Sequence, residues 1–391
     1  LSGTSISKIE GLEDKKKLDV LRLSGCKIKD LSGLEKTRAL HELTLDGNQI
    51  TSMVGLADRE MYIQIFSLEN NEISNIDGLE NILTEFIDLR GNNITRIDNL
   101  NGKVVIGLDL GNNLIKKIEN LEGIVEFTRL ALDHNEIERI EGFNDARELE
   151  DLDLSFNQIK HIENLEPLTQ VFRLNLSGNP ISVLENLEAL ESLNKFKMTD
   201  TGISSILHLR EMAKLVRLEL SRCNITDLAG LESQTRLQYL SIANNAIVDL
   251  GPVRKLVRLS RLDVQGNRIR SLQGVLPEHF WELHAGDNEI SDITPLSRCK
   301  RLSRLYMQNN NVDNLVALQD LEWLVELDVR GNRISCLQGI EQKPDLVELH
   351  VEGNPLPRPA LDLAREFNER ARHMVALERM DMLEQIVALT R

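Results

Sequence analysis

The apolar positions along most of this chain change period within every stretch of about twenty residues. In the cleanest copy, Leu149 to Leu168 (LEDLDLSFNQIKHIENLEPL), Leu152 and Leu154 alternate against Asp151, Asp153 and Ser155. That is the two-residue period of a strand. Ile159, Ile162 and Leu165 follow at intervals of three, which predicts a 3₁₀ turn or a tight helical coil. One such unit cannot bury its own apolar side, so the pattern predicts a stack of neighbours.

The neighbours are in the sequence. Positions equivalent to Asn157 fall at Cys26, Asn48, Asn71, Asn92, Asn113 and Asn135 before it, and at Asn179, Thr201, Cys223, Asn245, Asn267, Asn288, Asn310, Asn332 and Asn354 after it. Steps are 22 residues, apart from one of 23 ending at Asn71 and three of 21 ending at Asn92, Asn113 and Asn288. A partial turn with Thr4 at the marker precedes them. At a bend between strand and coil, an inward amide satisfies backbone groups of its own and the adjacent turn that burial would otherwise leave unpaired. Cys26, Thr201 and Cys223 are small and weakly hydrogen-bonding, which fits them as substitutes.

The L-x-x-L-x-L-x-x-N-x-I phrase resembles the leucine-rich repeat family. Its 22-residue period, with I-x-x-I/L-x-x-L after the Asn, is similar to the class typified by the nuclear regulatory subunit of protein phosphatase type one, by axonemal leucine-rich proteins and, with small differences, by bacterial internalins. The resemblance implies an α/β solenoid, a horseshoe with a parallel sheet on its concave face and short 3₁₀ or helical coils on its convex face. It further implies a non-enzymatic scaffold whose partner is a protein, either a phosphatase catalytic subunit or a cytoskeletal or axonemal component. An internalin-like adhesin is the alternative of a different class, and ISDITPL at Ile290 to Leu296 matches that style locally.

After Asn354 the prolines of PLPRP forbid another regular turn, and Ala360 to Leu389 reads as helical from its Ala, Leu, Glu, Arg and Met content. Arg370, Leu377, Met380, Leu383 and Glu384 resemble the terminal cap of eukaryotic leucine-rich proteins, with Glu369 and Glu378 departing from it. The expected organisation is a solenoid over 1–359 and a capping helix over 360–391. Two places break the rhythm: an extra residue near Ala57 to Tyr62, and a lost one between Ser271 and Ala285, where Pro277, Phe280 and Trp281 appear. Both are expected as tolerated irregularities on the convex side.

Composition changes the picture by exclusion. The formal net charge is −16 over 391 residues, which opposes a surface that tracks phosphates, so no nucleic acid is expected as partner. No segment is long and apolar enough to span a bilayer, so no membrane insertion is expected. Four cysteines at irregular spacing read as reduced thiols, and with the absence of a secretory signal they suggest an intracellular setting in cytoplasm, nucleus, cytoskeleton or cilium. No nucleophile motif, phosphate loop or HExxH is present, and no cofactor or metal is expected.

Chemistry is therefore sought in columns, since residues one repeat apart stand on neighbouring strands about 4.8 Å apart. The position between the two strand leucines holds Asp88, Asp109 and Asp153, an acidic stretch reinforced by Asp133 and Asp151. Basic residues follow at Arg173, Lys195, Lys197 and Arg217. Glu219 and Asp263 come next, and then His284, Tyr306, Asp328 and His350 stand side by side. A metal reading of that last row fails on geometry, because parallel strands splay ligands that must converge at about 2 Å. Protein-binding anchors are the expectation, with Phe86, Phe156 and Tyr239 as exposed aromatics on the same face.

Overall fold

The computed structural model describes residues 2–391 except 13, 16, 36, 38, 55–60, 80, 81, 213 and 275. Most of the irregularity expected near Ala57 lies outside the described residues. The chain forms two compact units, Leu1–Thr201 and Gly202–Arg391. Each is a solenoid of stacked coils, and in each the L-x-L positions form three-residue parallel strands.

In unit 1 the strands run from Val20–Arg22 to Lys195–Lys197. They pair in register one repeat on, as Asp151 with Arg173 and Leu152 with Leu174. From Glu42–Thr44 onward the central residue of each three-residue strand is buried, as in Asp151–Asp153, where Leu152 is fully buried between two half-exposed neighbours. Strands stay this short because the apolar period changes immediately after them, and the chain must turn to bury Ile159 and Ile162 on the same core. Phe66 and Phe196 replace leucine in the core without exposing surface.

The marker asparagines form the predicted ladder. Asn157 donates from Nδ2 to the carbonyls of Leu154 at 3.1 Å and Leu132 at 2.8 Å, and its Oδ1 accepts from Ile137 N–H at 3.0 Å. One amide thus satisfies buried backbone groups of two turns. A second, shallower ladder went unread in the sequence. Asn120, Asn164 and Asn186 each donate at 2.7 Å to a carbonyl of the preceding turn, Ile97, Ile140 and Ile162 respectively.

The backs of the two units differ at one repeat position. In unit 1 it holds Asn164 and Asn186 with φ of 58° and 55°, and the coils there are isolated turns, such as Leu168 N–H to Leu165 C=O at 3.0 Å. In unit 2 two copies of the position hold Pro252 and Pro295, which lie in the 3₁₀ helices Gly251–Lys255 and Thr294–Arg298, while Gly230, Gly274 and Gly339 at other copies keep positive φ. Proline cannot reach positive φ, so the chain takes the right-handed turn instead. Between Ser271 and Ala285, Phe280 fills a core position and is fully buried, as is Ala285.

The terminal region is two helices rather than the one expected: α1, Arg358–Arg370, and α2, Ala376–Ala388. The break is a corner tied by Arg379, whose guanidinium donates to the carbonyls of Pro344 at 2.7 Å, Ala371 at 3.2 Å and Met374 at 2.5 Å. The carboxylate of Glu378 accepts Val375 N–H at 3.2 Å and opens α2. Helix-forming composition runs evenly through this corner, so propensity does not reveal it. α1 buries Ala360, Ala364 and Phe367, and packs on the last strand, Glu348–His350. Asn368 there accepts Leu349 N–H at 2.7 Å and donates to Leu349 C=O at 2.8 Å, pairing the edge as another strand would. Of the cap-like residues, Leu383 is buried and Leu377 is exposed.

Candidate functional site

In both units the outward strand positions line a face whose shape is set by backbone ladders. In unit 1 a depression of about 640 Å³ is lined by Phe86, Asp88, Asp109, Asp133, Asp151 and Asp153, with Arg90 and Arg129 among them. Six predicted residues thus come together. Arg90 pairs with Asp109 at 2.7 Å, and Asp151 with Arg173 at 3.1 Å and Arg129 at 3.8 Å. Asp133 lies 3.0 Å from His134. Among the described residues Asp88 accepts one hydrogen bond, from the backbone N–H of Arg90 at 3.1 Å. Its carboxyl titrates above the ordinary range because half-burial disfavours its charge, with further opposition from Asp109 and Glu69.

Phe156 lies not on a strand but in the turn that follows one, and it is 46% exposed with φ of 54°. The same position holds Gly47, Asn70, Gly91 and Asn112 in other turns, also at positive φ. A bulky residue in this region is strained by about 1–3 kcal/mol. The ring stacks on His134 at 4.4 Å and leans over Gly178, where a Cβ would lie 2.5 Å from it. Strain at an exposed aromatic points to a use for the ring. Lys197 is exposed on its strand and is not part of either cluster.

Unit 2 is arranged differently. Arg217 stacks on Tyr239 at 3.9 Å from the ring centre, and Arg261 lies 5.3 Å from Tyr239 and 5.2 Å from Trp281. Arg304 completes the far side of Trp281 at 5.9 Å. The row therefore alternates guanidinium and ring, an arrangement favoured by the ring quadrupole. Behind it, buried Glu282 pairs with Arg261 at 2.9 Å, Arg304 at 3.9 Å and His284 at 2.7 Å. Glu219 pairs with Arg217 at 2.6 Å. Among the described residues neither Glu282 Oε2 nor Arg261 Nε has a hydrogen-bond partner.

The residues of the final row stand in different settings. His284 and Tyr306 stack at 4.4 Å, and Tyr306 donates its hydroxyl to Glu326. Burial and that carboxylate both push the phenol upward in pKa. Asp328 is 5% exposed and held by the guanidinium of Arg330 at 2.5 Å, so it faces its own chain more than solvent. Asp263 accepts from Ser241 at 3.0 Å, and His350 lies 3.8 Å from Glu348. Among the described residues no group of three His, Cys, Asp or Glu is placed to hold a metal ion, and no helix is long and apolar enough to cross a membrane.

Sequence reasoning missed Arg261, Trp281, Glu282, Arg304 and Glu326. Four of these occupy the outward position just before the first strand leucine, the column that also holds Phe86, Asp151, Arg173, Arg217 and Tyr239, and following it beyond Tyr239 would have found them. Trp281, which stands one residue earlier, was read only as part of an irregularity.

Comparison with known proteins agrees with this geometry. Residues 127–181 match the family described as "Leucine rich repeat" and residues 235–277 the one described as "Leucine Rich repeats (2 copies)". No curated protein sequence matches the chain. Among solved structures, a leucine-rich repeat protein of Leptospira interrogans is similar over 95% of this chain and 93% of its own, with 22% identity and a TM-score of 0.72. The internalin inlF of Listeria monocytogenes is similar over 88% and 84%, with 22% identity and a TM-score of 0.52. A plant peptide hormone receptor, RGFR1, in complex with RGF2, is similar over 90% and 66%, with 18% identity and a TM-score of 0.64. At these identities the structures speak to fold alone. The two family matches identify leucine-rich repeats within this chain, and the asparagine ladder carries the same kind of turn through both units.

Proposed function

We propose that this chain is a non-enzymatic scaffold that takes a protein partner on its strand faces. The observation that carries this reading is the row Arg217, Tyr239, Arg261, Trp281 and Arg304, in which anchoring side chains are already held by stacking and by carboxylates behind them. Tyr, Trp and Arg dominate binding hot spots, and fixing their rotamers beforehand lowers the ordering cost of association. The receptor in complex with RGF2 is a similar fold seen with a bound partner.

The test is quantitative affinity purification with wild type and with Tyr239→Ala plus Trp281→Ala. Loss of about 2 kcal/mol or more of affinity, roughly thirtyfold, is expected, with unfolding midpoints close together. An unchanged partner set in a folded variant would sink the reading. The finer identification of the partner as a phosphatase type one catalytic subunit rests on the resemblance of the 22-residue class, and its absence from wild-type eluates would remove it. A cytoskeletal or axonemal role is favoured by a separate feature, the exposed Val375 and Leu377 at the start of α2. Retention on microtubule or axonemal pellets, lost on Leu377→Ser, supports that role. The adhesin reading rests on the internalin-like fold and predicts binding to a mammalian cell surface.

A further inference from the structure

An apolar strip runs beside the acidic depression of unit 1. Tyr62 pairs in register with Leu83, and Val104 bridges to Val125. All four are between 42% and 49% exposed. Three residues beyond Tyr62 and Leu83 stand Ile65 and Phe86, themselves register partners and about half exposed. The ring of Phe86 leans over the next strand, where a Cβ at Gly107 would lie 2.8 Å from it. The absence of a side chain at 107 is therefore what lets the ring lie across the sheet. Scattered apolar residues on a surface need no explanation, but adjacent turns repeating them at one position form a patch of the kind a partner covers.

The neighbouring charge says what kind of partner. Arg90, Arg129 and Arg173 are already engaged with Asp109 and Asp151. Asp88 and Asp153 have no ion pair among the described residues, and Asp153 accepts from Ser155 at 2.6 Å and Asn175 at 2.9 Å. Burial and neighbouring carboxylates oppose ionisation of Asp88, a cost that an incoming cation relieves. From Asp88 to Asp153 is three strand steps, about 14 Å. An extended segment covers that in about four residues.

We propose that the strand face of unit 1 docks a short segment of a partner protein that alternates lysine or arginine with apolar side chains. Its cations lie along Asp88 and Asp153, and its apolar side chains pack on Phe86 and Ile65. The inference rests on the scaffold reading and narrows it to one occupant of one unit.

A fluorescein-labelled ten-residue peptide alternating lysine with leucine is titrated into the full chain by anisotropy, in about 0.15 M salt. Its twins carry glutamate for lysine, or serine for leucine. The lysine–leucine peptide is expected to bind, and each twin at least about tenfold more weakly. Asp88→Asn with Asp153→Asn, and separately Phe86→Ser with Ile65→Ser, should each weaken it about tenfold or more, whereas Val257→Ala, at an exposed position of unit 2, leaves it unchanged. Failure of every peptide to bind, equal binding of the lysine–serine twin, or indifference to the Phe86 and Ile65 pair overturns the proposal. A photo-crosslinking side chain at Ser67 or at His284 separates this outcome from the wider reading. Adducts at 67 that the lysine–leucine peptide competes away support the proposal, and adducts at 284 alone overturn it while the scaffold stands. Adducts at neither position overturn both.

Discussion

Unit 1 and unit 2 are built from one repeat and differ in how their outward charges are satisfied. In unit 2 the arginines sit between Tyr239 and Trp281 and against Glu219, Glu282 and Glu326, so most charge finds its counterpart within the chain. In unit 1 the carboxylates outnumber the cations that reach them, Asp88 is held in a half-buried place, and Phe156 sits on a strained backbone. The same repeat therefore supports one face whose charges are largely paired within the chain and another that retains more unfavourable terms a partner can relieve. A rigid repeat permits this because the outward columns contribute little to the stack, whose stability comes from nearest-neighbour interfaces.

The comparison can be broken most forcefully at the core. Phe280 is fully buried beneath the face of unit 2, and Phe280→Ala should cost about 3–5 kcal/mol. Urea unfolding followed by exchange of backbone amides should show protection lost first in 202–391. Uniform loss along the whole chain would show that the units do not unfold separately.

A smaller effect of opposite sign is expected at Phe156. Phe156→Asn places at φ near 54° a residue that Asn70 and Asn112 show to suit that position. It should raise stability by about 1 kcal/mol, measured as a higher unfolding midpoint. A lower midpoint would mean that stacking on His134 outweighs the strain, and the ring would then be structural.

The smallest effect concerns Asp88. Its pKa is raised above the ordinary 3.8 in the folded chain, so ionisation costs stability, and this cost is absent below the unfolded value and present in full above the folded one. Asp88→Asn keeps an acceptor for Arg90 N–H and removes the charge. The variant should match wild type near pH 3 and gain on it as pH rises toward 7, in thermal midpoints taken across that window. A constant difference with pH would remove Asp88 as a source of electrostatic cost.

Much of this molecule was readable beforehand because repetition averages out local ambiguity. Asn157 and its equivalents announced the turn by recurring, and Leu152, Ile159 and Ile162 announced the core by their change of period. The candidate faces were half legible. The column containing Asp88, Asp109, His284 and Tyr306 follows from alternation, but the column before it was read only as far as Tyr239, so Arg261, Glu282 and Arg304 were missed. The two-helix terminus escaped because Arg379 ties the corner to the Pro344 carbonyl, 35 residues away, as well as to the nearby Ala371 and Met374 carbonyls.

What the sequence alone determined is the solenoid, its register and the identity of its outward residues, since these follow from periods of two, three and twenty-two. Tertiary structure decided which outward residues act together. Trp281 joins Arg261 and Arg304 only because three successive strands set them side by side, and Asp88 becomes costly to ionise only when Asp109 and the half-buried sheet surround it. Stacking geometry and desolvation belong to distances across turns, and those distances exist only in the folded chain.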